Sequence, residues 1–209
     1  MLIWSSNYIM PVDLRDTIKE RMEGDHSDKK RFYTTFHSGD KFQDLLIPYY
    51  SELVSDMMKD LGMYKRSQYD FSLWAQMYNS NTDSHPPHAH FTSNEIISFT
   101  HIITASKDRC FYFLDDEDNK IYHTHQDTGD IFAFPPWRLH GVDPVKEEGV
   151  DRMIVAGNIM LRSYHRPEDH VSAYSEKVGI GQCMWRYHDS RVSCMLSQVD
   201  CRAIVLVYR

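Results

Sequence analysis

The stretch SHPPHAH, Ser84–His90, sets three imidazoles in seven residues. His88 and His90 are two apart, so on a strand both rings leave from one face, where they can take adjacent positions on one divalent metal. A third ligand must then come from another part of the chain. Among twelve histidines an H-x-H pair is a weak signal by itself, and it recurs as His123-Thr124-His125. What raises the first pair is GDIFAFPPWRLHGVDP, a strand ending in a Pro-Pro-Trp turn that delivers His140, fifty residues beyond His90. That gap lets several strands return to one rim. His125 lies too close to His140 for such a return, so His123 and His125 read as surface hairpin residues. His85 is cut off from His88 by two prolines, which disfavour a regular strand, and reads as a loop residue.

The next segment, HGVDPVKEEGVDRMIVAGNIML, reads as a turn and a strand expected to run antiparallel beside the strand before His140. Alternation puts Arg152, Ile154, Ala156 and Asn158 on one face and Met153, Val155, Gly157 and Ile159 on the other. An arginine sharing a face with alanine and asparagine suits a pocket that grips a carboxylate with two parallel hydrogen bonds. It fits equally an arginine at a solvated strand end, paired with Asp151.

These residues need a scaffold. PVDLRDTIKERM places Leu14, Ile18 and Met22 at helical spacing, with Pro11 and Asp13 as start signals. KFQDLLIPYYSELVSDMMKDLG carries an apolar stripe of Phe42, Leu45, Leu46, Tyr49, Leu53, Met57 and Leu61, with Pro48 near its middle and Gly62 at its end. Such stripes cover sheets. From residue 69 the period changes to two, and FSLWAQMY, NEIISFTHII, RCFYFLDD, KIYHTH, GDIFAFPP and VDRMIVAGNIML read as short strands between turn clusters. Many short strands without intervening helices predict an antiparallel sandwich or barrel. After about Arg166 no clear period appears until AIVLVY, and this tail reads as an added strand and helix or as a poorly ordered extension.

The 209 residues, 42% of them hydrophobic, are enough for one ordinary domain with a substantial core. A net charge of −7 with no dense lysine and arginine cluster argues against a nucleic-acid or anionic-membrane surface. No apolar run approaches bilayer length, and the N-terminus lacks the pattern of an export signal. Cys110, Cys183, Cys194 and Cys201 form no C-x-x-C pair, so reduced thiols and a soluble cytoplasmic location are expected.

In order and spacing, WAQMY, HPPHAH, GDIFAFPPWRLHGVDP and DRMIVAGNI resemble the Fe(II)- and 2-oxoglutarate-dependent oxygenases. The likeness is greatest to the small phage and bacterial members with H-x-H in the first ligand position. It spans residues 69 to 162 and leaves out the N-terminal helices and the tail. It implies a mainly β fold, a double-stranded β-helix (a jelly roll, or cupin-like barrel) with N-terminal helices packed on one sheet. The expected organisation is a helical segment over 1–68, the barrel core over 69–165 and an extension over 166–209.

The resemblance further implies that His88 and His140 ligate Fe(II) and that Arg152 binds the distal carboxylate of 2-oxoglutarate. Gln76 and Tyr78, which share a strand face with Trp74, are candidates to line the cosubstrate pocket, as is Asn158. The family's usual second ligand is an Asp or Glu two residues after the first histidine, and here that place holds His90. The expected set is therefore three neutral histidines, His88, His90 and His140. The implied reaction consumes O2 and oxidatively decarboxylates 2-oxoglutarate, hydroxylating a small-molecule or peptide substrate.

Cupins share part of the pattern, an H-x-H pair, a glutamate and a distal histidine. Gly129 and Pro135 match their second segment, and Glu95 follows His90. On an unbroken strand, however, Glu95 faces away from His88 and His90, and only a bulge would turn it in. A cupin-type metal dioxygenase or isomerase is one alternative. A barrel that binds a small molecule or zinc without turnover is another.

Overall fold

Alternation along the strands decides this architecture, because the central strands of the larger sheet bury apolar residues on both faces against different neighbours. The computed structural model describes residues 2–24, 32–36, 40–63, 68–90, 94–163, 185–188 and 191–194. The chain divides into two units, Met1–Ser163 and Tyr164–Arg209.

In chain order the first unit contains β1 (Trp4–Asn7), α1 (Val12–Gly24), β2 (Tyr33–Thr34), α2 (Asp40–Asp60), β3 (Gln68–Tyr78), β4 (His85–His88) and β5 (Glu95–Thr104). It continues with β6 (Phe111–Leu114), β7 (Lys120–Tyr122), β8 (Asp130–Phe134), β9 (His140–Val142) and β10 (Arg152–Ser163). The strands form a major sheet of order β1-β8-β5-β10-β3-β2 and a minor sheet of order β4-β9-β6-β7. The pairings are antiparallel. From β3 to β10 the chain passes back and forth between the two sheets, with the β6–β7 hairpin as the one step within a sheet, which makes the fold a double-stranded β-helix. That winding corrects one expectation: β10 does not lie beside β8. After β8 the chain crosses to β9 in the minor sheet and returns two places over, so β5 separates them, pairing Val155 with His101 and Phe99 with Ala133.

On the outer face of the major sheet, Leu73, Ala75 and Met77 of β3, Phe99 of β5 and Val155 of β10 share one buried cluster with Ile18 and Met22 of α1 and Leu46, Tyr50, Leu53 and Met57 of α2. Burying each large side chain contributes roughly 1.5–3 kcal/mol, which is why the helices are held here. Pro48 is accommodated inside α2, and Phe42 of the apolar stripe has a side chain outside the described residues. α2 ends where Gly62 takes a φ of +69°. The Gly62 N–H donates to the Lys59 carbonyl (3.0 Å) and the Met63 N–H to the Met58 carbonyl (2.9 Å), a Schellman stop that satisfies the last carbonyls.

The inner face packs against the minor sheet. Trp74 and Tyr78 of β3, Ile102 of β5, Phe132 and Phe134 of β8 and Ile154 and Ala156 of β10 meet Phe111 and Phe113 of β6 and Val142 of β9. Among the described residues no helix is long and apolar enough to cross a membrane. In the second unit, β11 (Trp185–His188) pairs antiparallel with β12 (Arg191–Cys194). Cys183, Cys201 and AIVLVY lie outside the described residues.

Candidate metal centre

The minor sheet assembles the centre. β4 lies against β9 with His88 opposite His140 and His85 opposite Val142, so three steps on β4 answer two on β9. The register shift falls on Pro86-Pro87, and a bulge of this kind re-aims side chains that simple alternation would separate. β4 is the edge of the minor sheet, where missing proline N–H groups cost little. His85 is thus a strand residue, contrary to the loop expected from its prolines. Between His140 and Val142 sits Gly141, where a Cβ would meet the Tyr112 hydroxyl at 2.6 Å and the His85 carbonyl oxygen at 2.9 Å. Only glycine lets β9 approach β4 so closely. His90 follows β4, and its backbone N–H donates to the Pro136 carbonyl (2.8 Å), tying it to the turn before His140.

His88, His90 and His140 bring one ligand atom each within 4.8 Å of one another. Their ring centroids are 5.1 Å apart for His88 and His90, 4.4 Å for His88 and His140, and 4.9 Å for His90 and His140. Each ring is oriented through Nδ1. The His88 Nδ1–H donates to the Pro86 carbonyl (2.9 Å) and the His140 Nδ1–H to the Arg138 carbonyl (2.9 Å). A carbonyl only accepts, so the proton is on Nδ1 and the lone pair on Nε2. The His90 Nδ1–H donates to Asn158 Oδ1 (2.8 Å), which also accepts from the Ser98 hydroxyl (2.8 Å). Three imidazoles with Nδ1 bonded and Nε2 available are set as metal ligands are set. Burial depresses the pKa of all three, most strongly at His140, where His88 adds to the effect. The cluster therefore stays neutral and ready to coordinate.

Arg152 opens β10, is 1% exposed, and leaves Nη1 and Nη2 without a hydrogen-bond partner. Burial lowers its pKa, against the pull of Cys110 and Tyr78. Ionised guanidinium groups are not buried without compensation, so this fork calls for an anion. Its Cζ lies 5.8 Å from the centroid of the Tyr78 ring, its register partner on β3. The Tyr78 hydroxyl donates to Gln76 Oε1 (2.9 Å) and bonds His85 Nδ1 (3.1 Å), and burial raises its pKa strongly. Alternation along β10 puts Arg152, Ile154, Ala156 and Asn158 on the barrel side, with the arginine at one end and the His90 contact at the other. The walls are aromatic: Phe111 and Phe134 lie 5.5 and 4.8 Å from His140, and Trp74 lies 5.5 Å from His90.

All seven residues singled out in the sequence therefore line the inside of the barrel or touch those that do. Asn158 is placed against His90. Glu95 is not a member of the histidine cluster, although its charge bears on His90. His125 is exposed, as expected, but His123 is not a surface residue, because its ring packs 4.4 Å from that of Phe132. Missed from the sequence were Ser98 and His85. Ser98 had one signal, its inward parity with Thr100 and Ile102. For His85 the signal was its place in SHPPHAH, which the prolines obscured.

No family model matches the chain, and no curated protein matches it. Solved structures match in fold. A prolyl-4-hydroxylase from Pseudomonas putida superposes with a TM-score of 0.54 at 13% identity, covering 77% of this chain and 92% of that one. A prolyl hydroxylase from Trichoplax adhaerens, in complex with a hypoxia inducible factor oxygen degradation domain peptide fragment, gives 0.53 at 10%, covering 75% and 82%. The epimerase SnoN, in complex with Fe3+, alpha ketoglutarate and nogalamycin RO, gives 0.53 at 8%, covering 75% and 77%. At these identities the likeness establishes the shared double-stranded β-helix.

Proposed function

We propose that the protein is an Fe(II)- and 2-oxoglutarate-dependent dioxygenase, a hydroxylase of a small molecule or peptide. The observation that carries this reading is Arg152, a fully buried guanidinium with both terminal nitrogens unpartnered on the barrel face shared with the histidine cluster. A three-histidine metal site alone would fit several chemistries. One that also keeps a buried cationic fork fits a cosubstrate with a chelating end and a second carboxylate.

The residues suit both groups. His88, His90 and His140 would hold the metal through Nε2, and Arg152 would grip the far carboxylate bidentately. With Fe(II), 2-oxoglutarate and O2 bound, the centre supplies conversion of the keto acid to succinate and CO2, with one oxygen atom placed in a substrate C–H bond. The chain's own part is positional. Asn158, fixed by Ser98, holds the His90 ring, while Tyr78 and Gln76 back the arginine. Phe111, Phe132 and Phe134 exclude water from the interior, where the charge of Arg152 acts with little screening. A cupin-type metal enzyme would give Arg152 no task and would look for Glu95 in the ligand set. The peptide held by the Trichoplax structure makes a peptide a reasonable first substrate class to screen, beside small molecules.

The test is substrate-free turnover. With Fe(II) and air, 2-oxoglutarate labelled at the C1 carboxyl should release labelled CO2 slowly, and Arg152→Met should stop it at the same cosubstrate concentration. Absence of release from the wild-type chain across all substrates screened, with metal bound, would reject the oxygenase reading.

A further inference from the structure

His85 belongs to neither half of the site just described, yet it touches both. Its ring is clamped between Phe32, 4.3 Å away at 34°, and His88, 4.1 Å away at 20°. Its Nδ1 bonds the Tyr78 hydroxyl at 3.1 Å. Gln76 Oε1 can only accept, so the Tyr78 proton goes to Gln76, and His85 is the donor to the Tyr78 oxygen. Tyr78 is thereby pinned from two sides, and its ring is the surface near which the Arg152 guanidinium lies. Arg152 has no hydrogen bond at Nη1 or Nη2 to hold its fork, so packing against a fixed Tyr78 ring sets its direction. Across the other face of His85, the stack limits rocking of His88 about the bond that its Nδ1 makes to Pro86.

We propose that His85 is a positioning residue with two separable tasks. Its Nδ1–H fixes Tyr78, and so the arginine that reads a carboxylate. Its ring face fixes His88, and so the metal. The inference rests on the proposed function for its first task only, since the second needs no cosubstrate. A ligand-orienting partner is typically worth about 10- to 100-fold in metal affinity, and a lost neutral hydrogen bond about 5-fold.

Two variants divide the tasks. His85→Phe keeps a flat ring in the stack and removes the donor; His85→Asn keeps an N–H near the Nδ1 position and removes the stacked ring. Full-length protein is titrated with Co(II), then with 2-oxoglutarate in the presence of Co(II), and thermal midpoints are recorded alongside. His85→Phe should weaken 2-oxoglutarate binding about 5-fold with Co(II) affinity nearly unchanged. His85→Asn should weaken Co(II) binding about 10-fold, with 2-oxoglutarate affinity at saturating metal nearly unchanged. Tyr78→Phe, which removes the same bond from its other side together with the bond to Gln76, should weaken 2-oxoglutarate binding at least as much with Co(II) affinity nearly unchanged, and serves for the first task if His85→Phe misfolds. If both His85 variants shift both constants together, or neither shifts either, His85 is structural and the proposal is overturned. Failure of the proposed function looks different: wild-type protein would bind Co(II) and show no affinity for 2-oxoglutarate.

Discussion

His101 and His140 are both buried imidazoles of one barrel, on opposite sides of the major sheet. His101, on the helix side, is spent. Its Nε2–H donates to the Tyr8 carbonyl (2.7 Å) and its Nδ1 accepts from the Tyr50 hydroxyl (2.8 Å), and the Tyr49 ring stacks at 6.3 Å. His140, on the barrel side, uses Nδ1 alone and keeps Nε2 within the three-histidine cluster. Arg152 goes further and leaves two nitrogens unmatched. A buried polar group whose every atom is satisfied is part of the scaffold; one with capacity left over is reserved for something that arrives later. Under the proposed function the helix face is built for stability and the barrel face for ligands.

The sharpest break in this contrast is His140→Ala, which should cost metal affinity by more than about 100-fold in a Co(II) or Fe(II) titration. Arg152→Met comes next and should move two measurements in opposite directions. Cosubstrate affinity should fall by about 100-fold, in line with truncation of a buried charge pair. The unliganded protein should become more stable by about 1–4 kcal/mol in urea, because an uncompensated charge has been removed. A loss of stability instead would mean that Arg152 already has its partner.

His101 supplies the opposite case. Burial pushes its pKa down to about 4 from 6.5, against the hydrogen bond to Tyr8. The native state therefore holds it neutral while the unfolded chain protonates. Its contribution is complete above pH 6.5 and is lost as pH falls towards 4, by about 3 kcal/mol at 1.36 kcal/mol per unit. Urea unfolding of wild type and His101→Gln across that range should show the excess pH dependence in wild type alone. The smallest effect expected is from Asn158→Ala, which should weaken metal binding by about 10-fold by releasing His90. If it weakened only 2-oxoglutarate binding, Asn158 would be a pocket residue and not a support for His90.

Much of this contrast was legible in the sequence. Alternation in FSLWAQMY put Trp74, Gln76 and Tyr78 on one face of their strand, and alternation in DRMIVAGNIM put Arg152 and Asn158 on one face of theirs, because period two is local. The helical stripe of Leu46, Leu53 and Met57 was legible for the same reason. Among the strands that were not, three show why. β1 reads Trp-Ser-Ser-Asn and pairs with β8 alone at the edge of its sheet, so packing did not impose an apolar pattern. β9 is only three residues long. β4 contains two prolines and exists because an edge and a bulge tolerate them. The place of β10 between β3 and β5 depends on winding between sheets, which no local pattern encodes. His85 was lost with β4, since its stacking neighbour Phe32 comes from a distant part of the chain and the prolines after it hide the strand.

The central claim is that Arg152 and the three histidines serve one ligand together. The most direct test is an anaerobic titration of metal-free protein with Fe(II) and then 2-oxoglutarate, followed in the visible range for the weak charge-transfer band of a chelated keto acid. The account expects the band in wild type and its loss in Arg152→Met at equal cosubstrate, with iron still bound. Iron bound without any band in wild type would contradict it, leaving a three-histidine centre of the cupin or non-catalytic kind.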